Sequence, residues 1–298
     1  MRAITYHEHG GPDVLELTEV PTPEPSGKEV LVRVRAAGVN PFDFKVRAGA
    51  IPGLPSKFPS TPGSEIAGVV EAAGPDAEFA VGEEVFGWSS TGGYAEYALG
   101  WKLARKPEGL SWADAVAIPI PGEAATRALG LLDLKAGETL LVHGGSGNVG
   151  GFAVQLAASR GVTVVGTSAP GDEQIVADRG GIGVAFGDGL VERVRAVAPH
   201  VDAVLDAAGH GAVDVSLELL AAPIRLVSLV DPKAAEVGGI FTTTGSPNPA
   251  ELIGEIADLV ATGKMRMLPA REFPLAQAAQ AQAAGEAGTG VGKIVLVP

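Results

Sequence analysis

Three glycines between an apolar run and a helical pattern are the residues in this chain most suited to binding chemistry. They form Gly145-x-Gly147-x-x-Gly150, directly after the strand-like run Thr139–Val142, and apolar residues then recur at helical spacing over 149–157. A strand, a tight glycine turn and a helix N-terminus together bind the pyrophosphate of a dinucleotide. On this interpretation Gly145 allows the turn, Gly147 lets backbone approach the phosphates, and Gly150 lets helix and strand pack closely.

The residues after this motif indicate which dinucleotide is bound. We expect the pyrophosphate to be held mainly by the backbone N–H groups of Ser146, Gly147, Asn148 and Val149. About 20 residues beyond the motif, NAD enzymes carry an acidic residue for the adenosine ribose. This chain has Thr167 and Ser168 there, whose hydroxyls can donate to a 2′-phosphate, but no Arg or Lys follows within ten residues. The sequence favours NADPH with weak discrimination and leaves NADH possible. Arg179 is the nearest basic residue further along the chain and therefore the nearest candidate for a charged contact to the 2′-phosphate.

Composition limits the class of protein. A chain of 298 residues is long enough for two domains, and the absence of cysteine excludes disulfides and thiolate zinc sites. The net charge of −13 argues against nucleic acid and anionic lipid as partners. There is no long apolar run and no secretory signal, so we expect a cytoplasmic protein with no membrane partner.

The order of elements predicts an α/β protein. Residues 1–120 read as short strands separated by Gly/Pro clusters, whereas 138–244 alternate strand and helix patterns, which is typical of a doubly wound parallel sheet. The terminal run 292–298 is strand-like and is expected to return to the N-terminal β domain. We therefore predict one domain from 1–120 with 270–298, and a dinucleotide-binding domain over 121–269.

Several motifs in the right order resemble one family. They are Ala37-Gly-Val-Asn-Pro-Phe-Asp43, Pro62-Gly-Ser-Glu-Ile-Ala-Gly68, Gly82-Glu-Glu-Val-Phe-Gly87, Gly93-Tyr-Ala-Glu-Tyr97, Val142-His-Gly144, Asp206-Ala-Ala-Gly209 and Gly292-Lys-Ile-Val-Leu296. Together they resemble the zinc-free, zeta-crystallin-like quinone oxidoreductases of the medium-chain dehydrogenase/reductase superfamily. The resemblance implies a GroES-like, mainly-β catalytic domain plus a Rossmann domain. It also implies hydride transfer from NADPH to a small quinone or α,β-unsaturated carbonyl (enone) substrate, and a homodimer.

The same resemblance argues against a catalytic metal. Zinc-dependent members carry cysteine where this chain has Asn40 and histidine where it has Ser64. His7 and His9 alternate on a strand end, but two histidines do not complete a zinc site, so we predict no metal. Without a Lewis acid, an acceptor already activated by conjugation is the expected substrate.

Asn40 and Lys45 are the predicted catalytic residues. The asparagine that matches Asn40 faces the nicotinamide in the family, although an Asx-turn before Pro41 is an ordinary use of this residue. Lys45 stands where an alkenal-reductase-like subset carries lysine, and its ammonium can supply counter-charge or a proton. Ile51 and Ala124 depart from the family, replacing an aromatic and a threonine that contacts the nicotinamide.

Later strand ends are expected to line the nicotinamide. The resemblance assigns this role to Ala207, Ser228, Leu229 and Phe241. Packing at the sheet ends is the alternative for all four. Two other functions stay open: a trans-acting enoyl reductase for longer acyl or polyketide substrates, and a non-catalytic NADPH-binding sensor or structural protein.

Overall fold

The computed structural model of the chain describes residues 1–220, 223–243, 245–288 and 290–298. Its strands are β1 Arg2–Thr5, β2 Glu16–Glu19, β3 Val30–Val39, β4 Glu65–Ala73, β5 Glu84–Ser89, β6 Tyr97–Arg105, β7 Thr139–His143, β8 Thr163–Ser168, β9 Ile182–Ala185, β10 Ala203–Asp206, β11 Leu226–Ser228, β12 Ile240–Phe241, β13 Arg271–Pro274 and β14 Ile294–Val297. Its helices are α1 Pro41–Arg47, α2 Trp112–Val116, α3 Pro119–Leu132, α4 Asn148–Ala158, α5 Glu173–Ala177, α6 Leu190–Val197, α7 Ala212–Leu219, α8 Lys233–Glu236, α9 Pro249–Ala261 and α10 Ala278–Glu286. Two short 3-10 turns lie at Pro12–Val14 and Leu275–Gln277.

The chain divides into two compact units. The first comprises Met1–Pro119 with Asn248–Pro298, and the second comprises Ile120–Pro247. Residues 248–269 therefore group with the first unit, because α9 packs against β6 there. The sequence predicted that residues 248–269 belong to the dinucleotide-binding domain, whereas the structure groups them with the first unit. Which functional domain these residues serve stays a proposal.

A six-stranded sheet is the main sheet of the first unit, which also contains the two-stranded antiparallel sheet β1-β2. The strand order of the main sheet is β13-β14-β3-β4-β5-β6, and β3 also pairs with β6, so the sheet closes on itself. Strand β3 alternates buried and exposed residues in its middle and is fully buried at its ends. The apolar cluster inside includes Val32, Ile66, Val85 and Leu296. This is the mainly-β, GroES-like half that the resemblance implied.

The C-terminal strand returns to this sheet, as expected from the sequence. Strand β14 runs antiparallel to β3, with Ile294 paired to Val39, and parallel to β13. The last residues of the chain thereby join the same core as its first hundred. The return places Lys293, just before β14, beside Asn40, just after β3.

The second unit is a parallel six-stranded sheet. The strand order is β12-β11-β10-β7-β8-β9, and every pairing is parallel. Numbered within the unit and read from β9 to β12, the strand order is 3-2-1-4-5-6, which is that of a dinucleotide-binding sheet. Such sheets bind their ligands at the carboxyl ends of the strands, where the order reverses. That reversal lies between β7 and β10. No helix in the described ranges is both long and apolar enough to cross a membrane.

Candidate active site

The glycine turn joins the carboxyl end of β7 to the N-terminus of α4. Gly147 is the N-cap of α4, in extended conformation (φ −73°, ψ −178°), and no side chain caps the helix. The left-handed residue of the turn is Gly144 (φ +80°), whose N–H is held by Thr167 Oγ1 at 2.9 Å. Gly145, to which the sequence assigned the turn, does not adopt a positive φ; Gly144, which directly precedes it, does.

Gly145 and Gly150 are required for close approach instead. A Cβ on Gly145 would lie 2.8 Å from Cα of Gly166 on the neighbouring strand β8. One on Gly150 would overlap the carbonyl oxygen of Gly144 and lie 2.7 Å from its carbonyl carbon. Both obstacles are backbone, which no rotamer change removes. The two glycines therefore bring β7, β8 and the first turn of α4 together.

An open helix N-terminus is well suited to an anion. The first N–H groups of a helix lack intrahelical acceptors and carry the positive end of the helix dipole. At the carboxyl end of β8, Ser168 is 2% exposed and its Oγ has no hydrogen-bond partner among the described residues. An uncapped N-terminus beside an uncommitted buried hydroxyl fits a dinucleotide. The N–H groups of Ser146, Asn148 and Val149 would hold its pyrophosphate, and Thr167 with Ser168 its adenosine ribose. The N–H of Gly147, also predicted as a phosphate donor, is instead bonded to the carbonyl of Gly144.

The ends of β10 and β11 are tied together by Asp206. Its Oδ1 accepts the N–H groups of Ala208 (3.0 Å) and Gly209 (2.8 Å), and its Oδ2 accepts the Ser228 hydroxyl at 2.7 Å. Ser228 Oγ in turn accepts the N–H of Asp231 at 2.9 Å. The hydroxyl of Ser228 is thus committed to shaping the strand ends. Sequence reasoning missed Asp206 in this role, although a carboxylate closing a buried apolar strand was a visible signal.

The other predicted wall residues lie at these same strand ends. Ala207 follows β10, Leu229 follows β11, and Phe241 ends β12. The N–H of Leu229 donates to the carbonyl of Asp206 at 2.9 Å, and the N–H of Ala207 to that of His143 at 3.2 Å. Their contact with a nicotinamide stays a prediction.

In the first unit, Asn40 belongs to a buried charged cluster. Lys293 Nζ donates to Asn40 Oδ1 at 2.6 Å and to Glu65 Oε2 at 2.5 Å, and Asn40 Nδ2 donates to the same Glu65 oxygen at 2.6 Å. Sheet register explains the meeting, since Gly38 pairs with Glu65 and Ile294 pairs with Val39. The ammonium only donates and the carboxylate only accepts, so the orientation of the Asn40 amide is fixed. We call Asn40, Glu65 and Lys293 the amide clamp.

Neither Glu65 nor Lys293 was singled out from the sequence. Both lie in motifs that carry the family resemblance. Each is a charged residue at or directly before the start of an apolar strand, and this is the sequence signal that could have indicated a buried charge. Glu65 is fully buried and Lys293 is 2% exposed. Gly38 makes room for them, because a Cβ there would overlap the Glu65 carboxylate. The clamp leaves the amide of Asn40 one further N–H to donate.

Asp43 supports the loop that carries Asn40. Its Oδ2 accepts the backbone N–H of Asn40 at 2.9 Å, and its Oδ1 accepts the Ser64 hydroxyl at 3.0 Å. Tyr94 Oη donates to the same carboxylate at 3.3 Å. Burial raises the pKa of Asp43 to about 6, and it raises the pKa of Tyr94 well above its usual value. Asp43 is therefore a positioning residue.

Lys45 is not brought to the amide clamp. It is exposed on α1, on the face opposite the buried Asp43 and Arg47. Ala124, where relatives carry threonine, is 8% exposed on α3. Thr126, two residues on, has a buried Oγ1 without a partner in the described part of the chain.

His143, at the end of β7, is a buried neutral histidine. Ser216 Oγ donates to the carbonyl of Ala212 at 2.6 Å, so His143 Nε2, at 3.1 Å from that hydroxyl, is the donor between them. Burial lowers the pKa of His143 from 6.5 to about 4. At neutral pH its imidazole keeps one proton and does not take up a second, so His143 is a structural residue.

This pKa predicts acid destabilisation. Between pH 6.5 and 4 the unfolded chain binds a proton that the folded chain does not, so the unfolding free energy falls as pH drops. From pH 7 to 5 the loss is about 2 kcal/mol. His143→Gln keeps a donor for Ser216 and removes this loss. Denaturant unfolding of both proteins at the two pH values measures the difference, and equal pH dependence would contradict the assignment.

The described residues hold no group of three or more His, Asp or Glu side chains arranged to bind a metal ion. The positions matching zinc ligands are used otherwise: Asn40 lies in the amide clamp and Ser64 donates to Asp43.

Family models match both units. Residues 26–108 match the alcohol dehydrogenase GroES-like domain, and residues 184–296 match the model described as zinc-binding dehydrogenase. The second match extends through Lys293 of the amide clamp.

Individual proteins resemble the chain over most or all of its length. The quinone oxidoreductase of Homo sapiens is 38% identical over 74% of this chain and 67% of its own, and that of Mus musculus is 32% identical over 100% and 98%. The 2-methylene-furan-3-one reductase of Solanum lycopersicum is 32% identical over 100% of this chain and 79% of its own.

A solved structure also matches the chain over its whole length. The structure of mycobacterial Rv1454c complexed with NADPH superposes with a TM-score of 0.89 at 30% identity, covering 100% of both chains. Sequence motifs, the two folds and these relatives agree. The chain belongs to the quinone oxidoreductase family of the medium-chain dehydrogenase/reductases and is an oxidoreductase.

Proposed function

We propose that the protein reduces quinones or α,β-unsaturated carbonyl compounds with NADPH and without a metal ion. The main support for a dinucleotide cofactor is the N-terminus of α4, which no side chain caps, together with Ser168 at the end of β8. The buried hydroxyl of Ser168 has no hydrogen-bond partner among the described residues. The relatives named quinone oxidoreductase and 2-methylene-furan-3-one reductase support the two substrate classes, and the NADPH complex of Rv1454c supports the cofactor.

The chain's own residues have three tasks in this reaction. Bound NADPH would supply a hydride, which leaves negative charge on the acceptor's oxygen. The amide clamp presents the remaining N–H of Asn40 in a fixed direction, and a preorganised donor stabilises such an oxyanion. The exposed ammonium of Lys45 supplies counter-charge or the proton that completes reduction. Asp206, through its bonds to Ala208, Gly209 and Ser228, holds the ends of β10 and β11 in place.

A paired turnover assay tests the function. NADPH and NADH oxidation is followed with a 1,4-quinone, a small enone and enones of increasing chain length, before and after dialysis against a chelator. We expect turnover of the quinone or the small enone that survives the chelator. Turnover restricted to long-chain enones would favour the enoyl reductase alternative. Tight NADPH binding without turnover would favour a sensor.

Ser168→Ala tests the basis of cofactor choice. Hydrogen bonds from neutral hydroxyls to a phosphate contribute about 1 kcal/mol each, so we expect the variant to weaken NADPH binding about fivefold. NADH lacks the 2′-phosphate and is the internal control, whose affinity is expected to stay unchanged. Equal losses for the two cofactors would show that Ser168 serves another part of the nucleotide or the fold.

Lys45→Met tests the second catalytic residue. Loss of a charge that stabilises the reduced acceptor is expected to lower kcat by about 10- to 100-fold. NADPH affinity should not change, because the predicted cofactor contacts lie elsewhere. Lys28→Met, another exposed lysine, is the control. Unchanged kcat in the Lys45 variant would remove this residue from the mechanism.

We also propose a homodimer paired through the edge strand β12, the sixth strand of the dinucleotide-binding sheet. Light scattering after size-exclusion chromatography measures the mass, and a monomer at assay concentration would contradict the proposal.

A further inference from the structure

A buried arginine lies against the carbonyl side of the glycine turn. Arg179 follows α5 and is 9% exposed. Its Nη1 is 3.3 Å from the carbonyl oxygen of Gly145, 3.1 Å from that of Ser146 and 3.3 Å from that of Gly147. One guanidinium nitrogen is therefore within hydrogen-bond distance of three consecutive carbonyl oxygens in the turn that we assign to the pyrophosphate.

These carbonyls belong to the peptide units whose N–H groups face the other way. In a trans peptide the C=O and the following N–H are antiparallel, so Arg179 orients the N–H groups of Ser146, Gly147 and Asn148. Gly147 N–H is used within the turn, bonding the carbonyl of Gly144 at 3.0 Å. Those of Ser146 and Asn148 are the predicted phosphate donors. Because a hydrogen bond to a carbonyl polarises its peptide unit, the cation also strengthens them.

The charge of Arg179 is not neutralised within the described part of the protein. No carboxylate there forms an ion pair with it, and its hydrogen bonds go to neutral carbonyls. Burial lowers its pKa, but a guanidinium stays protonated in proteins. Buried cations are normally paired, so this one indicates an anion bound nearby. In a chain of net charge −13 it is a local source of positive potential.

Gly151 is matched to Arg179. A Cβ on Gly151 would overlap the guanidinium, approaching Nη2 to 2.8 Å. The guanidinium therefore packs against α4 at Gly151, where the Cβ of any other residue would displace it. The second glycine of the pair Gly150-Gly151 is explained by the arginine and not by the turn.

We propose that Arg179 is a positioning residue for the cofactor's pyrophosphate, acting through the carbonyls of residues 145–147 and through its charge. This inference rests on the proposed function, in which a dinucleotide binds at the turn. It assigns Arg179 to the pyrophosphate and not to the 2′-phosphate.

Four variants separate positioning from packing: Arg179→Leu, Arg179→Lys, Gly151→Ala and the double variant Gly151→Ala/Arg179→Leu. Calorimetric titration with NADPH, ADP and 2′-AMP measures affinity, and thermal unfolding measures stability. ADP carries the pyrophosphate and 2′-AMP carries only the 2′-phosphate. We expect Arg179→Leu to weaken NADPH and ADP by about tenfold or more and to leave 2′-AMP unchanged. Arg179→Lys keeps the charge without the three-carbonyl contact and is expected to be intermediate.

The double variant is the decisive measurement. The methyl group that Gly151→Ala adds fills space that the arginine leaves, so stability should recover toward that of the parent. Affinity for ADP should stay low, because the cation is absent. Recovery of both stability and ADP affinity would show that Arg179 only packs. An equal loss of affinity for 2′-AMP would assign Arg179 to the 2′-phosphate. Either result overturns the proposal. If the unaltered protein binds neither NADPH nor ADP, the proposed function itself fails.

Discussion

Gly150→Ala is expected to abolish NADPH binding at ordinary cofactor concentrations. The new Cβ would overlap the carbonyl oxygen of Gly144 and approach Cα of Gly145 to 2.9 Å. Because both are backbone atoms, α4 must move away from β7 to admit the methyl. That movement displaces the N–H groups of the first helical turn from the phosphates. We expect affinity to fall by about 100-fold or more, and the unfolding free energy by about 2–3 kcal/mol from the overpacking.

Gly130→Ala is the matched control for this experiment. Gly130 lies on α3, a Cβ there meets nothing within 4 Å, and its φ is not positive. Alanine at an exposed helical position should raise stability by up to about 1 kcal/mol and leave NADPH affinity unchanged. If Gly150→Ala bound NADPH as the control does, the turn would not be the pyrophosphate site. Titration of NADPH fluorescence and denaturant unfolding report the two quantities.

The dinucleotide-binding unit was predictable because its signals are local. Each strand there is an apolar run of a few residues followed by a turn, and the glycine motif occupies six consecutive positions. The return of β14 was inferred by elimination, since the second half left no partner for it. What the motif alone did not show was which glycine carries the positive φ. Sequence spacing defines which residues form a turn but not how its dihedral angles are shared, and Gly144 precedes the motif as it is usually counted.

The amide clamp and the support of the turn were not predictable in the same way. Lys293 and Glu65 are 228 positions apart, and only the register of β14, β3 and β4 brings them together with Asn40. Arg179 lies 32 to 34 positions from the carbonyls that it binds. A charged residue in an apolar surrounding signals a buried partner, but the partner's identity depends on tertiary structure. Ser228 shows the converse, since its hydroxyl is committed to Asp206 rather than available to a ligand.

Lys293→Met is expected to destabilise the first unit strongly. The variant removes the ammonium that lies 2.5 Å from Glu65 Oε2 and leaves the buried carboxylate without this counter-charge. Breaking a buried ion pair on one side costs about 3–5 kcal/mol. Denaturant unfolding of the variant and the parent protein at neutral pH measures the loss.

Burial, and not ion-pair distance, is the cause of this expected loss. Lys233 lies at the same 2.5 Å from Asp214, but their side chains are 44% and 62% exposed. Lys233→Met is therefore expected to change stability little, because water screens exposed pairs. The double variant Glu65→Gln/Lys293→Met removes both charges together and should recover part of the loss. Its kcat should nevertheless stay low, since the Asn40 amide has lost the ammonium and the carboxylate that fix its orientation. Equal losses in the Lys233 and Lys293 variants, or full activity in the double variant, would contradict the role given to the amide clamp.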